Sequence, residues 1–164
     1  MKEIGFHFEV KLPVDGKSIL IYRLNKENPL PKYMSKGASG IDLYASLDHP
    51  LTIMPGQYSC VPSGIIISLP EGLEAQIRPR SGLAAKHGIT VLNTPGTVDS
   101  DFRGEIKVIL INHGKQMFTV KNGMRIAQMV ISKVERAQII EAAEKSELAV
   151  TRRAEGGFGH TGLN

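Results

Sequence analysis

The sequence predicts an all-β protein, a jelly-roll-like β-barrel or sandwich of short strands, with a flexible glycine-rich C-terminal tail. Three observations carry that prediction. β-Prone runs recur at roughly 8–12-residue intervals. Turn formers such as Pro55-Gly56, Pro70-Glu71-Gly72 and Lys121-Asn122-Gly123 stand between them. No long segment carries a strong apolar stripe at helical spacing. In chain order the predicted strands cover residues 7–12, 18–24, 57–61, 64–69, 73–78, 89–92, 106–112, 117–120 and 124–134. The run at 57–61 follows the Pro55-Gly56 turn, those at 64–69 and 73–78 flank Pro70-Glu71-Gly72, and the last two flank Lys121-Asn122-Gly123. Residues 81–86 read as a short helix, and residues 137–148 have the alanines and glutamates of one. The first 16 or so residues read either as an extra edge strand or as a frayed end.

At 164 residues the chain is long enough for one domain with a sizeable core, and no Pro-, Gly- or charge-rich linker divides it. The expected organisation is a single β-barrel domain over residues 1–150, with 1–16 as a possible extension, and a mobile tail over 151–164. Hydrophobic residues make up 41% of the chain, which argues against disorder, and no apolar run approaches the ~20 residues of a membrane-spanning helix. The start of the chain lacks the apolar core of a secretory signal, and the single cysteine, Cys60, has no intrachain partner for a disulfide. These features predict a soluble protein in a reducing, cytoplasmic setting. The net charge of +4 raises the question of nucleic acid, but the basic residues form no block, only 5% of residues are aromatic, and Trp is absent. Discrete anion contacts fit better than a groove that tracks a nucleic-acid backbone.

The densest chemistry lies in Leu92-Asn-Thr-Pro-Gly-Thr-Val-Asp-Ser-Asp-Phe-Arg-Gly-Glu105. Two β-prone runs flank the polar tip Asp99-Ser100-Asp101, with Gly96 and Gly104 where the backbone turns or approaches something closely, so the stretch reads as a hairpin built as a pocket. Unpaired N–H and C=O groups at its mouth can imitate the edge of a nucleobase, and an aspartate at the lip can take a proton from water. Taken alone, it reads better as a surface hairpin with an Asx-type turn. Arg80-Ser81-Gly82 ends a strand at a helix start, where N–H groups, a hydroxyl and a guanidinium together suit a polyphosphate; an isolated triplet of this kind is more often a Ser N-cap beside a surface arginine. Strand alternation puts Arg125 and Ala127 on one face and Ile126 and Gln128 on the other, leaving Gln128 in need of a polar partner. Asp42 points away from its neighbours Ile41 and Leu43. The five histidines do not pair at metal-ligand spacings, and neither a Ser-His-Asp nor a Cys-His set favours covalent catalysis.

Five motifs stand in order: Ala38-Ser39-Gly40-Ile41-Asp42-Leu43, Pro79-Arg80-Ser81-Gly82-Leu83-Ala84, the stretch from Leu92 to Glu105, Arg125-Ile126-Ala127-Gln128, and Arg153-Ala154-Glu155-Gly156-Gly157-Phe158-Gly159-His160-Thr161-Gly162. Together they resemble the trimeric dUTP diphosphatase family over nearly the whole chain, a far more specific signal than any one glycine pattern. The resemblance implies hydrolysis of dUTP to dUMP and diphosphate, which keeps uracil out of DNA and supplies dUMP for thymidylate synthesis. It implies Asp99 as general base, and Arg80, Ser81, Gly82, Gln128, Arg153, Gly159 and Thr161 as phosphate-binding residues. Asn93, Gly96, Thr97, Val98, Phe102, Lys107 and Phe158 would hold uracil and deoxyribose. It further implies Mg2+ held mainly by the triphosphate, with Asp42 in the ion's water shell, although a structural salt bridge from Asp42 to a motif arginine is as good a reading of the residues. A homotrimer with sites shared between subunits, and a tail that closes over the nucleotide, complete the implied picture, with neither nucleic acid nor membrane as a partner.

Two positions depart from the family pattern. Phe102 stands where tyrosine is common, and Ala154 replaces the usual glycine after Arg153, which matters if that residue takes a positive φ. Two rival readings are a dCTP deaminase of the same fold and a catalytically idle uridine-nucleotide sensor that recruits a protein partner. Arg80-Ser81-Gly82-Leu83 reads as the hydrolase version, and the intact Asp99, Gln128 and Arg153 argue against the sensor.

Overall fold

The computed structural model describes residues 18–156. Its strands are β1 (Leu20–Arg23), β2 (Ile41–Tyr44), β3 (Leu51–Ile53), β4 (Tyr58–Pro62), β5 (Ile65–Ser68) and β6 (Leu73–Arg78), followed after helix α1 (Ser81–His87) by β7 (Ile89–Val91), β8 (Gly96–Val98), β9 (Lys107–Asn112), β10 (Phe118–Val120) and β11 (Arg125–Lys133). All ladders are antiparallel: β1 pairs with β5, β3 with β10, β4–β9–β7 form a three-stranded sheet, and β2–β11–β6–β8 form a four-stranded one. The expected jelly-roll-like β fold is therefore present. The strand expected at 7–12 lies outside the described residues.

Inward alternation builds the core. On β2, Ile41 and Leu43 are buried while Asp42 and Tyr44 are half-exposed; on β9, Val108, Leu110 and Asn112 face in. Sealing a side chain such as Leu43, Ile53, Leu110 or Ile126 from solvent contributes about 1.5–3 kcal/mol. The buried amide of Asn112 is fully used: its Nδ2 donates to the Ile53 carbonyl at 2.9 Å and the Gln116 carbonyl at 2.8 Å, and its Oδ1 accepts from Gly114 N–H at 2.8 Å. It thereby ties β9 to β3 and to the following turn.

Helix α1 forms where expected. It stops because Gly88 takes φ 66°, a left-handed conformation that closes the last turn by donating to the Ala84 carbonyl. At that end His87 packs its ring on Phe118 with centroids 5.2 Å apart, so it belongs to the packing and not to Ser81.

The structure corrects four expectations. Residues 137–148 are not an α-helix: they hold only a 3-10 turn at Lys145–Glu147, and Ile139 and Ile140 are 96% and 77% exposed. Alanine and glutamate propensity does not sustain so short a helix without an apolar face packed on a core. Next, the stretch from Leu92 to Glu105 is not a two-stranded hairpin. Its first arm, β8, pairs with β6, whereas the strand after the tip, β9, pairs with β4 and β7, so the stretch carries the chain from one sheet to another. Third, the alternation at Arg125 fails because β11 bulges between Arg125 and Ala127: Arg125 opposes Tyr44, Ala127 opposes Leu43, and Ile126 and Ala127 are both buried. Fourth, β2 and β3 are absent from the predicted strands: the four residues of β2 stand inside a motif and gain their ladder from β11. The three residues of β3, among the four between Pro50 and Pro55, give too short a run to recognise, and that strand exists because β10 supplies its ladder.

Candidate active site

The segment that crosses between the sheets shapes a cleft of about 350 Å³, lined among others by Thr97, Val98, Asp99, Phe102 and Lys107. Five of the residues expected around uracil, sugar and attacking water thus share one depression. Cys60, Glu105, Ile106 and Ile109 complete its wall. Cys60 lacked any local signal, because it reaches the site only through its pairing with Ile109 across β4 and β9, whereas Glu105 ends the motif that begins at Leu92, and Ile106 and Ile109 flank Lys107.

Glycines admit the neighbouring side chains. A Cβ on Gly96 would stand 3.3 Å from Asn93 Nδ2, so the missing methyl lets the Asn93 amide fold against the start of β8. A Cβ on Gly104 would stand 2.9 Å from Cε2 of Phe102, whose ring lies over that backbone. Main-chain bonds hold the tip: Phe102 N–H donates to the Asp99 carbonyl at 3.2 Å, and Arg103 Nη1 donates to the carbonyls of Ser100 and Phe102 at 2.7 and 2.8 Å. The Asp99 side chain is exposed at the lip and takes no part in that network.

A second, cationic cluster gathers at the end of β6. Asp42 on β2 pairs one oxygen with Arg80 Nε at 3.2 Å and the other with Arg125 Nη1 at 3.0 Å. Arg80 Nη1 also donates to the Arg125 carbonyl at 2.9 Å. The bulge in β11 is what brings Arg125 to Asp42 while leaving Gln128 opposite both Asp42 and Arg78. Gln128 finds the polar partner it needs in the Pro79 carbonyl, to which its Nε2 donates at 2.9 Å. Gly40 makes room for it, since a Cβ there would press on the Gln128 side chain and stand 3.2 Å from its Cβ and Cδ. Arg125 and Gly40 stand in the motifs, but the sequence does not mark them as site residues; only the bulge and this close approach reveal them.

Ser81 is the first helical residue, Arg80 holds the N-cap position, and no side chain caps the helix, so the Ser N-cap reading does not apply. Gly82 faces open space. Gly40→Ala is expected to displace Gln128 and lower kcat/KM for the reaction proposed below by roughly ten- to a hundredfold, with little change in Tm. Steady-state kinetics beside a melting curve check this, and unchanged kinetics would remove Gln128 from the site.

Cleft and cluster lie on opposite sides of β6. Val98 opposes Ala75 and Gly96 opposes Ile77, so β8 runs back along β6 and Asp99 emerges beside Glu74. From there to Arg80, at ~3.3 Å per residue, is roughly 20 Å. The Arg80 guanidinium moreover reaches across β11 to β2, away from β8.

Among the described residues no three His, Cys, Asp or Glu side chains gather as a metal-holding group. Asp42, the one acid in the cluster, is held by two guanidiniums, so the salt-bridge reading is realised. A carboxylate has about four lone-pair sites, so it retains room to accept from water. That donor set fits an ion that keeps its waters and takes most of its oxygens from phosphate, as Mg2+ does.

Past β11 the chain runs exposed to a turn in which Arg153 Nε donates to the Gly156 carbonyl at 2.8 Å. Ala154 sits there at φ 44°, so the departure from glycine falls on a residue that does take a positive φ, at a cost of about 1 kcal/mol. Lys145 and Glu155 pair at 2.6 Å across exposed surface. Phe158, Gly159 and Thr161 lie outside the described residues.

The sequence profile of the dUTPase family matches residues 26–162. A deoxyuridine 5'-triphosphate nucleotidohydrolase of Caldanaerobacter subterraneus is 62% identical over 138 residues, 84% of this chain and 91% of the relative. One from Neorickettsia sennetsu is 59% identical over 144 residues, 88% and 95% of the two chains. Among solved structures, a mutant dUTPase of Staphylococcus bacteriophage 80alpha with dUpNHpp superposes with a TM-score of 0.78 at 19% identity, covering 90% of this chain and 99% of the other. A mutant dUTPase of the S. aureus phage phi11, described with a structural Mg(II) ion, superposes with a TM-score of 0.69 at 17% identity over 79% and 99% of the two chains.

Proposed function

The chain belongs to the dUTPase family, and from that premise we infer that it hydrolyses dUTP to dUMP and diphosphate, with Asp99 as the general base. The observation that carries the assignment of Asp99 is the shared cleft, in which an exposed carboxylate with no side-chain partner among the described residues stands beside Thr97, Val98, Phe102 and Lys107. The carboxylate takes a proton from water as the water attacks the α-phosphorus. Asn93 and the Gly96-Thr97-Val98 backbone read uracil. Cytosine reverses donor and acceptor on the same edge, and a pocket matched to uracil would leave buried polar groups unpaired against it. The Phe102 ring crowds the sugar edge where a 2′-hydroxyl would project, and Lys107 approaches the same ligand.

Arg80, Arg125, Ser81, Gly82 and Gln128 bind the phosphates, where guanidinium charge stabilises the oxygens of the transferred group. Asp42 keeps Arg80 and Arg125 in place and orders water around Mg2+, which when bound neutralises phosphate charge. Because Asp99 and the Arg80 cluster of one chain diverge across β6, a site that needs both is assembled from different subunits, in a homotrimer. The tail, 151–164, closes over the nucleotide from the single domain before it, with Arg153, Gly159 and Thr161 on phosphate and Phe158 on the uracil face. A non-hydrolysable dUTP analogue should then protect Arg152 and Arg153 from trypsin; cleavage indifferent to the analogue contradicts closure.

Incubating the protein with dUTP, dCTP and UTP in the presence of Mg2+ and identifying the products tests the reaction. dUMP and diphosphate from dUTP alone are expected. Ammonia release from dCTP would indicate a deaminase, and dUTP binding without turnover a sensor. No helix among the described residues is long and apolar enough to cross a membrane.

A further inference from the structure

Residues 33–41 form a loop tied at its base, where Tyr33 bridges Ile41 in antiparallel fashion. A tighter turn closes its tip, with Ala38 N–H donating to the Ser35 carbonyl at 3.2 Å. Lys36 and Gly37 stand at the outside of that turn, both exposed, and a Cβ on Gly37 would meet nothing within 4 Å. Lys36 lines an open cleft of about 620 Å³ with Tyr33, Ser35, Ala38 and Ser39. Among the described residues no acid lines that cleft, and no hydrogen bond or ion pair engages the Lys36 ammonium. The returning limb of the loop leads straight into Gly40, which packs on Gln128, and Asp42, which holds Arg80 and Arg125.

The charge of the cluster is incomplete for its task. One carboxylate offsets one of the two guanidiniums, whereas a nucleoside triphosphate brings several negative charges. A further cation beside the cluster would be strongly favoured, and a flexible ammonium suits the terminal phosphates, whose positions vary more than that of the reacting one. We propose that Lys36 is a further polyphosphate-binding residue, contacting the terminal phosphates of a nucleotide held at the Asp42–Arg80–Arg125–Gln128 cluster. The proposal rests on the dUTPase reading above, and predicts an effect that depends on the number of phosphates.

The test measures binding of a non-hydrolysable dUTP analogue and of dUMP to wild type, Lys36→Gln, Lys36→Glu and Lys36→Arg. Lys36→Gln should weaken the triphosphate analogue roughly two- to fivefold, and charge reversal in Lys36→Glu about tenfold. Lys36→Arg should restore most of the affinity, dUMP should bind all four proteins alike, and the differences should shrink as salt is raised. Equal weakening of dUMP, or analogue affinity unchanged in both Lys36→Gln and Lys36→Glu, overturns the assignment while leaving wild-type dUTP turnover intact. A wild type that neither binds the analogue nor hydrolyses dUTP overturns the family-based reading itself, and the Lys36 assignment with it.

Discussion

Asp99→Asn should retain the fold and the capacity to bind dUTP while losing about 10²–10⁴-fold in turnover, the usual contribution of a general base. The amide is nearly isosteric with the carboxylate but cannot accept a proton from the attacking water. Its effect on stability should stay within about 0.5 kcal/mol, as for a surface substitution away from structural features. The turn there is held by the Asp99 carbonyl and by Arg103, neither of which the substitution touches. Single-turnover kinetics with a melting curve and analogue binding separate the cases. A folded variant with near-normal turnover removes Asp99 from the mechanism, and one that no longer binds the analogue assigns it to binding instead.

Mixing Asp99→Asn chains with Arg80→Ala chains should restore activity that neither has alone. In a closed trimer whose sites take Asp99 from one subunit and Arg80 from another, random equimolar mixing leaves about one site in four with both intact. Sites built within a single chain would recover nothing, because every chain carries one lesion. The geometry favours recovery: β8 and the Arg80 guanidinium leave β6 in opposite directions, with the Asp42–Arg80–Arg125 network drawing the latter toward β2. Light scattering sets the assembly state, and labelled chains confirm that subunits exchange. Exchange without any return of activity contradicts the shared site, and a monomer contradicts the trimer.

Much of the site was legible in the sequence because the residues around the base come from one continuous stretch. Gly96, Thr97, Val98, Asp99 and Phe102 lie within a few positions of one another, so a local pattern suffices to gather them, and Thr97, Val98, Asp99 and Phe102 do line one cleft. What was not legible involves residues brought together by pairing. Cys60 enters the cleft because β4 lies against β9, and Gly40 matters because Gln128 comes to rest against it from β11. The misread hairpin has the same origin. Two β-prone runs around a polar tip are compatible with pairing to each other or to third strands, and the choice depends on partners far away in the sequence.

The family, the β character of the chain, the positions of most strands and the motifs that carry the chemistry all follow from the amino-acid sequence. These are properties of residue type and order, which glycine placement, alternation and turn residues express locally. How those motifs stand to one another follows only from the packed fold. It made Asp42 the common partner of two arginines, inserted the bulge that turns Arg125 toward it, and left residues 137–148 without the helix that local propensity favoured. It also set Asp99 and Arg80 on diverging paths from one strand. Each of these outcomes depends on which strand lies beside which, and that is settled by burial and backbone pairing over the whole fold, where a local preference worth a fraction of a kcal/mol is readily overridden.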